Sequence, residues 1–290
     1  MNSTRPQQTI FQRQSISGFG YWSGHLINVE FRPADEDTGI VFVRSDLGRD
    51  ARVAAILANR VDSARRTTLE FDGVRIDMVE HLLAALAGMQ IHNCEVWVDA
   101  AEMPASDGSC REATKALNAA GIVEQKAARR AITLSRPCRV GDQRSWIEAH
   151  PSALPGLTVR YDLDYGIDSA IGKQHYQIAL TPDAFADEIA PARTFVLQQE
   201  ALQFQQQGFG KNLTFEDILV FGPSGPIDND LRFPEECARH KILDLVGDVS
   251  LVGCDIHANI LAHRSGHQLN AALVECILRE IASKRVQVPA

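Results

Sequence analysis

The decapeptide RHKILDLVGD, residues 239 to 248, constrains the fold more than any other stretch of the chain. It spaces His240, Asp244 and Asp248 four residues apart in an otherwise apolar run. On a helix of 3.6 residues per turn such positions lie nearly above one another, so a polar stripe runs along an apolar segment. Pro234 suits the first helical turn and Glu235 and Glu236 suit its positive dipole end, which predicts a helix running past His240 to Gly247 or beyond. One reading of the stripe is a helix surface with i, i+4 charge pairs, or a core histidine with its hydrogen bonds satisfied. Against it, Ile242, Leu243, Leu245 and Val246 flank the stripe and leave little exposed surface. The other reading is chemical. His240 and Asp244 at i, i+4 can reach one ion, and His81 would complete a His2Asp set that leaves a tetrahedral zinc one position for water, the stoichiometry of a catalytic site. Asp248, one turn further on, is placed to accept a hydrogen bond that orients a histidine.

Composition narrows what such a site can belong to. A chain of 290 residues, 45% hydrophobic and 23% charged, is long enough for one large or two ordinary domains. A formal net charge of −8, with no basic run beyond Arg65-Arg66 and Arg129-Arg130, argues against a general nucleic-acid binder. The start, MNSTRPQQTIFQRQS, has no apolar region of a secretory leader, and no stretch approaches the roughly 18 apolar residues of a membrane span, so the cytoplasm is the expected compartment. Cys94, Cys110, Cys138, Cys237, Cys254 and Cys276 form no C-x-x-C, which predicts reduced, packed thiols. A metal would therefore rely on histidine and carboxylate.

The hydrophobic period alternates along the chain. HLINVEFRPA, GIVFVRSD, TTLEF and VRID read as strands, the last two joined by Asp72-Gly73 as a type I′ hairpin. MVEHLLAALAGMQI then takes the helical period and ends at Gly88; NCEVWVDA returns to strand, and REATKALNAAGI is a second helix closed by Gly121. EQKAARRA, residues 124 to 131, reads as a linker. Beyond it the scheme repeats: strands AITLSRPCRV, SWIEAHP, LTVRYDLDY and HYQIALTP, a helix after Thr194, the helix of the opening stripe, a strand DIHANILAHR and a last helix NAALVECILREIASKR. The fold class is α+β in two similar halves, 1–125 and 132–290, whose kinship lies in the order of elements rather than in residue identities.

Three further stretches carry candidate chemistry. Asp77-Met78-Val79-Glu80 fits a capping box, with Asp77 as N-cap and Glu80 reaching back; equally, Glu80 beside His81 is a carboxylate able to take a proton from metal-bound water. In HRSGHQLN, the Ser265-Gly266 turn can present His267 to a cleft as a proton donor to a leaving amine, although a loop histidine ordinarily has no such role. In ARTF, Thr194 reads as a helix N-cap or as a hydroxyl donor to a developing oxyanion.

Taken in order, MVEHLLAALAGMQIHN, EMPASDGS, ARTF, RHKILDLVGD and RSGHQLN resemble the UDP-3-O-acyl-N-acetylglucosamine deacetylases, a zinc-dependent family that catalyses the committed step of lipid A synthesis. The resemblance implies one zinc per chain on His81, His240 and Asp244, with Glu80 as general base and His267 as the protonated acid supported by Asp248. It also implies that Thr194 stabilises the oxyanion, that Phe195, Lys241 and Arg264 approach the substrate, and that Arg144, beside Ser145, stands in for a lysine the family often has near the diphosphate. The implied fold is a pair of two-layer α/β sandwich domains packed face to face, the metal between them and an apolar passage for the acyl chain. The implied partner is an acylated UDP-amino-sugar, and no oligomer is implied. Departures bear on the substrate more than on the chemistry. Trp22 replaces a usual histidine, LDYGIDSAIGKQ lacks the F-x-H-P pattern, and Asn212-Leu213 replaces a common Gly-Gly pair beside the acyl passage. Two alternatives remain: a paralogous zinc amidase acting on another N-acetylated sugar or nucleotide sugar, and a non-catalytic binding protein. Lost ligands would mark the latter, and every candidate ligand is present.

Overall fold

A computed structural model describes residues 5–210 and 212–286. Two sheets organise it, and their wiring is the same. In the first, the strand order is Gln14–Phe19, Leu26–Pro33, Cys94–Val98, Ile40–Arg44, Arg52–Ala54, with only the Cys94–Val98 and Ile40–Arg44 pair parallel. In the second it is Cys138–Gly141, Trp146–Pro151, Asp255–His263, Leu157–Asp164, Lys173–Ala179, again with only the third and fourth strands parallel. Each sheet has as its third strand the last of its set in the sequence. The expected kinship of the halves is thus present in topology. The strand reading AITLSRPCRV divides in two: Ala131–Thr133 adds parallel to Asp255–His263, and Cys138–Gly141 forms the sheet edge.

Helices flank that late strand in both halves. Helix α1 (Glu80–Gly88) precedes Cys94–Val98 and α2 (Arg111–Ala119) follows it. After a single turn α3 (Pro182–Ala184) and α4 (Gln198–Gln206), helix α5 (Glu236–Val249) precedes Asp255–His263 and α6 (His267–Val286) follows. The strand alternates strictly, with Ile256, Ala258, Ile260 and Ala262 buried, as a sheet with one covered face requires. Helix α1 is buried on nearly every side, which matches a sequence apolar all round rather than on one stripe. It lies against α5 so closely that a Cβ on Gly247 would stand 2.1 Å from the Glu80 carbonyl oxygen. This crossing joins the two sheets' helical layers and places the start of α1 beside the C-terminal half of α5.

Several local expectations change. Residues 124–128 belong to the strand Ile122–Ala128, paired antiparallel with Pro6–Ile10, so the expected linker begins as sheet. The Asp77–Glu80 capping box is absent. Asp77 ends the strand Val74–Asp77 and accepts from the Thr68 hydroxyl, while Met78 at φ 66° turns the chain so that Val79, not Asp77, precedes the helix. Thr194 caps no helix either, because the strand Phe195–Leu197 intervenes before α4. Pro234 precedes α5, which starts at Glu236. The Asp72-Gly73 turn is as expected, both residues having positive φ between Thr68–Phe71 and Val74–Asp77. All six cysteines are free thiols and five are buried. No helix among the described residues is long and apolar enough to cross a membrane.

Two small insertions flank the helix crossing. One is the sheet Arg60–Val61, Thr68–Phe71, Val74–Asp77; the other joins Phe195–Leu197, α4 and Leu219–Gly222 as a parallel β-α-β unit closed by Gly225–Pro226.

Gly247→Ala should destabilise the fold by about 1–3 kcal/mol, the ordinary cost of overpacking, and should also weaken metal binding, because relief of the clash parts α1 from α5. Gly88→Ala, whose Cβ would meet the Phe185 ring at 2.3 Å, should cost similar stability and leave metal affinity intact. Urea unfolding and metal titration of both variants check this contrast.

Candidate active site

The helix crossing assembles the candidate ligands from distant parts of the chain. His81 is the second residue of α1, and His240 and Asp244 lie one turn apart on α5, all three buried. One ligand atom from each falls within 4.8 Å of the others. His81 Nε2 is 3.5 Å and His240 Nε2 3.4 Å from the same Asp244 oxygen, Oδ1. The other oxygen, Oδ2, accepts from Lys241 Nζ at 2.9 Å. His240 Nδ1 lies 3.1 Å from the Ala192 carbonyl, an acceptor only, so that nitrogen carries the proton and Nε2 keeps its lone pair.

The electrostatics suit a cation. Burial lowers the His240 pKa to about 3, which keeps its imidazole neutral. Burial would raise the Asp244 pKa, but Lys241 and His240 outweigh it and hold the carboxyl well below the usual range. The donor set thus offers a neutral His240 imidazole and an ionised Asp244 carboxylate beside the His81 ring, a set of the kind a divalent metal needs.

Beside it stands a second buried pair. Glu80 is 1% exposed, accepts from the Thr67 amide at 3.0 Å, and faces His267 Nε2 at 3.9 Å. Burial raises its pKa despite the opposing pull of His267 and His81. His267 is the first residue of α6, not a loop residue; its Nδ1 is 2.9 Å from Asp248 Oδ2. Burial would disfavour the imidazolium, yet Asp248 and Glu80 overcome it and push the pKa up to about 9. A protonated histidine and a basic carboxylate therefore sit side by side next to the ligand cluster. This is the pairing that acid–base chemistry at one centre requires.

His267 and Lys241 open into a cavity of about 1040 Å³ whose wall also includes Thr194, Phe195 and Arg264. Phe195 packs edge-on to His240, their rings 6.2 Å apart. Away from the ligands the wall becomes apolar, with Trp22, Phe204, Phe209, Leu213, Phe215 and Val220. Trp22 contacts the rings of Phe204 and Phe209, and Asn212 donates to the Gly24 carbonyl at 2.7 Å, so two of the departures from the resembled pattern, Trp22 and Asn212-Leu213, lie at this end. Arg144 is exposed on the turn after Cys138–Gly141; its neighbour Ser145 lines the cavity.

Comparison with known proteins identifies the family. A family profile described as UDP-3-O-acyl N-acetylglycosamine deacetylase (LpxC) matches residues 7–279. The chain belongs to that family. It is 38% identical to the UDP-3-O-acyl-N-acetylglucosamine deacetylase of Chlamydia felis, with 96% of this chain and 98% of that one covered. Against the proteins of the same name from Anaeromyxobacter dehalogenans and Myxococcus xanthus it is 36% and 35% identical, covering 97% and 96% of this chain and 90% and 88% of theirs.

Three further residues bear on the site, and the sequence signals them unequally. Thr67 donates its amide to Glu80 and its hydroxyl to Asp248, yet no sequence interval ties it to either. Asn270 donates to Asp248 Oδ2 at 2.9 Å; its place one helical turn after His267 is a signal that HQLN carries. Glu236 stands one turn before His240 at the interval already seen in the stripe.

The purified chain should bind one divalent metal. His81→Ala and Asp244→Ala should each weaken it by more than about 100-fold, beyond the loss typical of residues that only orient ligands. Asp248→Asn should retain it. Competition with a chromophoric chelator, and metal-induced gains in thermal midpoint, measure both outcomes.

Proposed function

We propose that this chain hydrolyses the 2-acetamido group of UDP-3-O-[(3R)-3-hydroxyacyl]-N-acetylglucosamine to acetate and a free amine, in lipid A biosynthesis in the cytoplasm, with one zinc per chain. One observation carries the reading: the His81, His240 and Asp244 cluster stands beside the Glu80 and His267 pair at the end of a cavity that turns apolar further on. Family membership supports the substrate; the donor set supports zinc. In this reading 1–125 and 132–290 are two domains facing each other across the site.

Zinc held by the cluster would lower the pKa of a bound water and polarise the acetamide carbonyl. Glu80, its basicity raised by burial, takes a proton as water attacks the carbonyl carbon. Thr194, in the cavity wall, offers a hydroxyl to the oxyanion. His267 enters the reaction protonated and gives its proton to the leaving nitrogen, so that cleavage releases a neutral amine. Asp248, fixed by Thr67 and Asn270, orients His267 and stabilises its charge. Lys241 and Arg264, cations on the wall, suit the sugar diphosphate; Phe195 supports the sugar face; Arg144, exposed on its turn, meets the diphosphate at the rim. The apolar end from Trp22 to Leu213 takes the acyl chain and bounds its length.

Acetate release from the 3-O-acyl substrate should exceed release from its non-acylated analogue; equal or absent activity on both would sink the assignment in favour of another N-acetylated substrate. Glu80→Gln should bind zinc normally and lose about 100- to 10,000-fold in kcat. The kcat/KM profile should fall as pH rises through the His267 pKa, because the protonated form is the active one. Asp248→Asn removes the anion that favours protonation, so this alkaline limb should move to lower pH.

A further inference from the structure

The polar stripe on α5 has a fourth member, Glu236, one turn before His240 at the same four-residue interval. Its side chain is completely buried and its carboxylate is fully engaged. Oε1 accepts from the Arg193 backbone amide at 3.0 Å and from Arg193 Nε at 2.8 Å. Oε2 accepts from Arg193 Nη2 at 3.1 Å and from the Arg232 amide at 2.6 Å. Arg193, itself 3% exposed, also donates to Asn229 Oδ1 at 2.8 Å and to the Asp230 carbonyl at 2.6 Å.

What Glu236 grips lies between two groups of the active site. Ala192, immediately before Arg193, supplies the carbonyl that accepts from His240 Nδ1 at 3.1 Å. Thr194, immediately after, lines the cavity and donates its amide to the Gly108 carbonyl at 2.7 Å. Arg232 extends the same network to the first half through Asp107 Oδ2 at 2.8 Å and to the Pro191 carbonyl at 2.8 Å. A backbone carbonyl fixes a histidine tautomer only if it is itself held still. The segment 191–194 has no helix or long strand to hold it; Glu236, on the same helix as His240, does so through Arg193.

We propose that Glu236 is a positioning residue for the reaction: through Arg193 it holds the Ala192 carbonyl that sets the tautomer and ring orientation of His240, and keeps Thr194 at the cavity wall. The proposal rests on the reading of His240 as a metal ligand, while its own readout needs no metal. In the metal-free full chain, nitrogen NMR of the His240 ring should report the Nδ1–H tautomer. Glu236→Gln, which keeps the volume and loses the charge, should show a mixed tautomer population, zinc affinity lowered about 10- to 100-fold and a fall in kcat larger than any change in KM. Gly88→Ala, matched for loss of thermal midpoint, should leave tautomer and zinc affinity at wild-type values, which separates positioning from general destabilisation. Arg193→Lys, which retains the charge and loses the planar fork, should act in the same direction as Glu236→Gln and serves if that variant fails to fold. Wild-type tautomer and zinc affinity in the folded variants would overturn the proposal. Absence of zinc binding by the unaltered chain would overturn the metal reading instead, and the tautomer of the metal-free variants would still decide the role of Glu236.

Discussion

The contact between Gly247 of α5 and the first turn of α1 is the constraint on which the site depends. Only a residue without a side chain lets the α5 backbone approach the Glu80 carbonyl this closely. That approach brings Glu80 and His81, from one sheet's helical layer, within reach of His240, Asp244 and His267, from the other's. Close packing makes the placement rigid, since helices crossing through small residues have little freedom to slide. The ligand cluster is in this sense a consequence of how two similarly wired halves meet.

Burying so many ionisable groups is costly unless each has a partner. Here the partners are specific: Asp244 divides its oxygens between Lys241 and the two imidazoles, and Asp248 takes Thr67, His267 and Asn270. Glu236 closes on Arg193 and on two backbone amides. The same low-dielectric surroundings that make these groups expensive separate their proton affinities, leaving His240 neutral and His267 charged although both are histidines in one small volume. The balance of neighbours makes the difference: at His240 burial, with His81 and Lys241 alongside, outweighs Asp244, whereas at His267 the hydrogen-bonded Asp248 together with Glu80 outweighs burial.

Much of this arrangement is legible in the amino-acid sequence. The four-residue interval in RHKILDLVGD predicts a helix with His240 and Asp244 on one face, and that helix exists. The alternation of DIHANILAHR predicts a strand with one buried side, and the burial of Ile256, Ala258, Ile260 and Ala262 follows it. Where the two differ, a tertiary or backbone effect prevails over a local signal. Asp77-x-x-Glu80 has the letters of a capping box, but the left-handed turn at Met78 moves the helix start and frees Glu80 to face His267. Thr194 has the chemistry of an N-cap, but its neighbours join a parallel strand pair with Leu219–Gly222. The segment from 124 looks like a linker in composition, yet pairing with Pro6–Ile10 makes part of it strand.

The sequence by itself determined the residue types, the helical intervals that align His240 with Asp244, and the alternating strands that build each half. These are properties of short windows, governed by the periods of helix and strand. Tertiary structure alone brought His81, already a candidate ligand in the sequence, up to His240 and Asp244, tied Thr67 to both Glu80 and Asp248, and let Glu236 reach Arg193. Those contacts join positions 13 to 181 residues apart, and no local period encodes a distance across a packed interface.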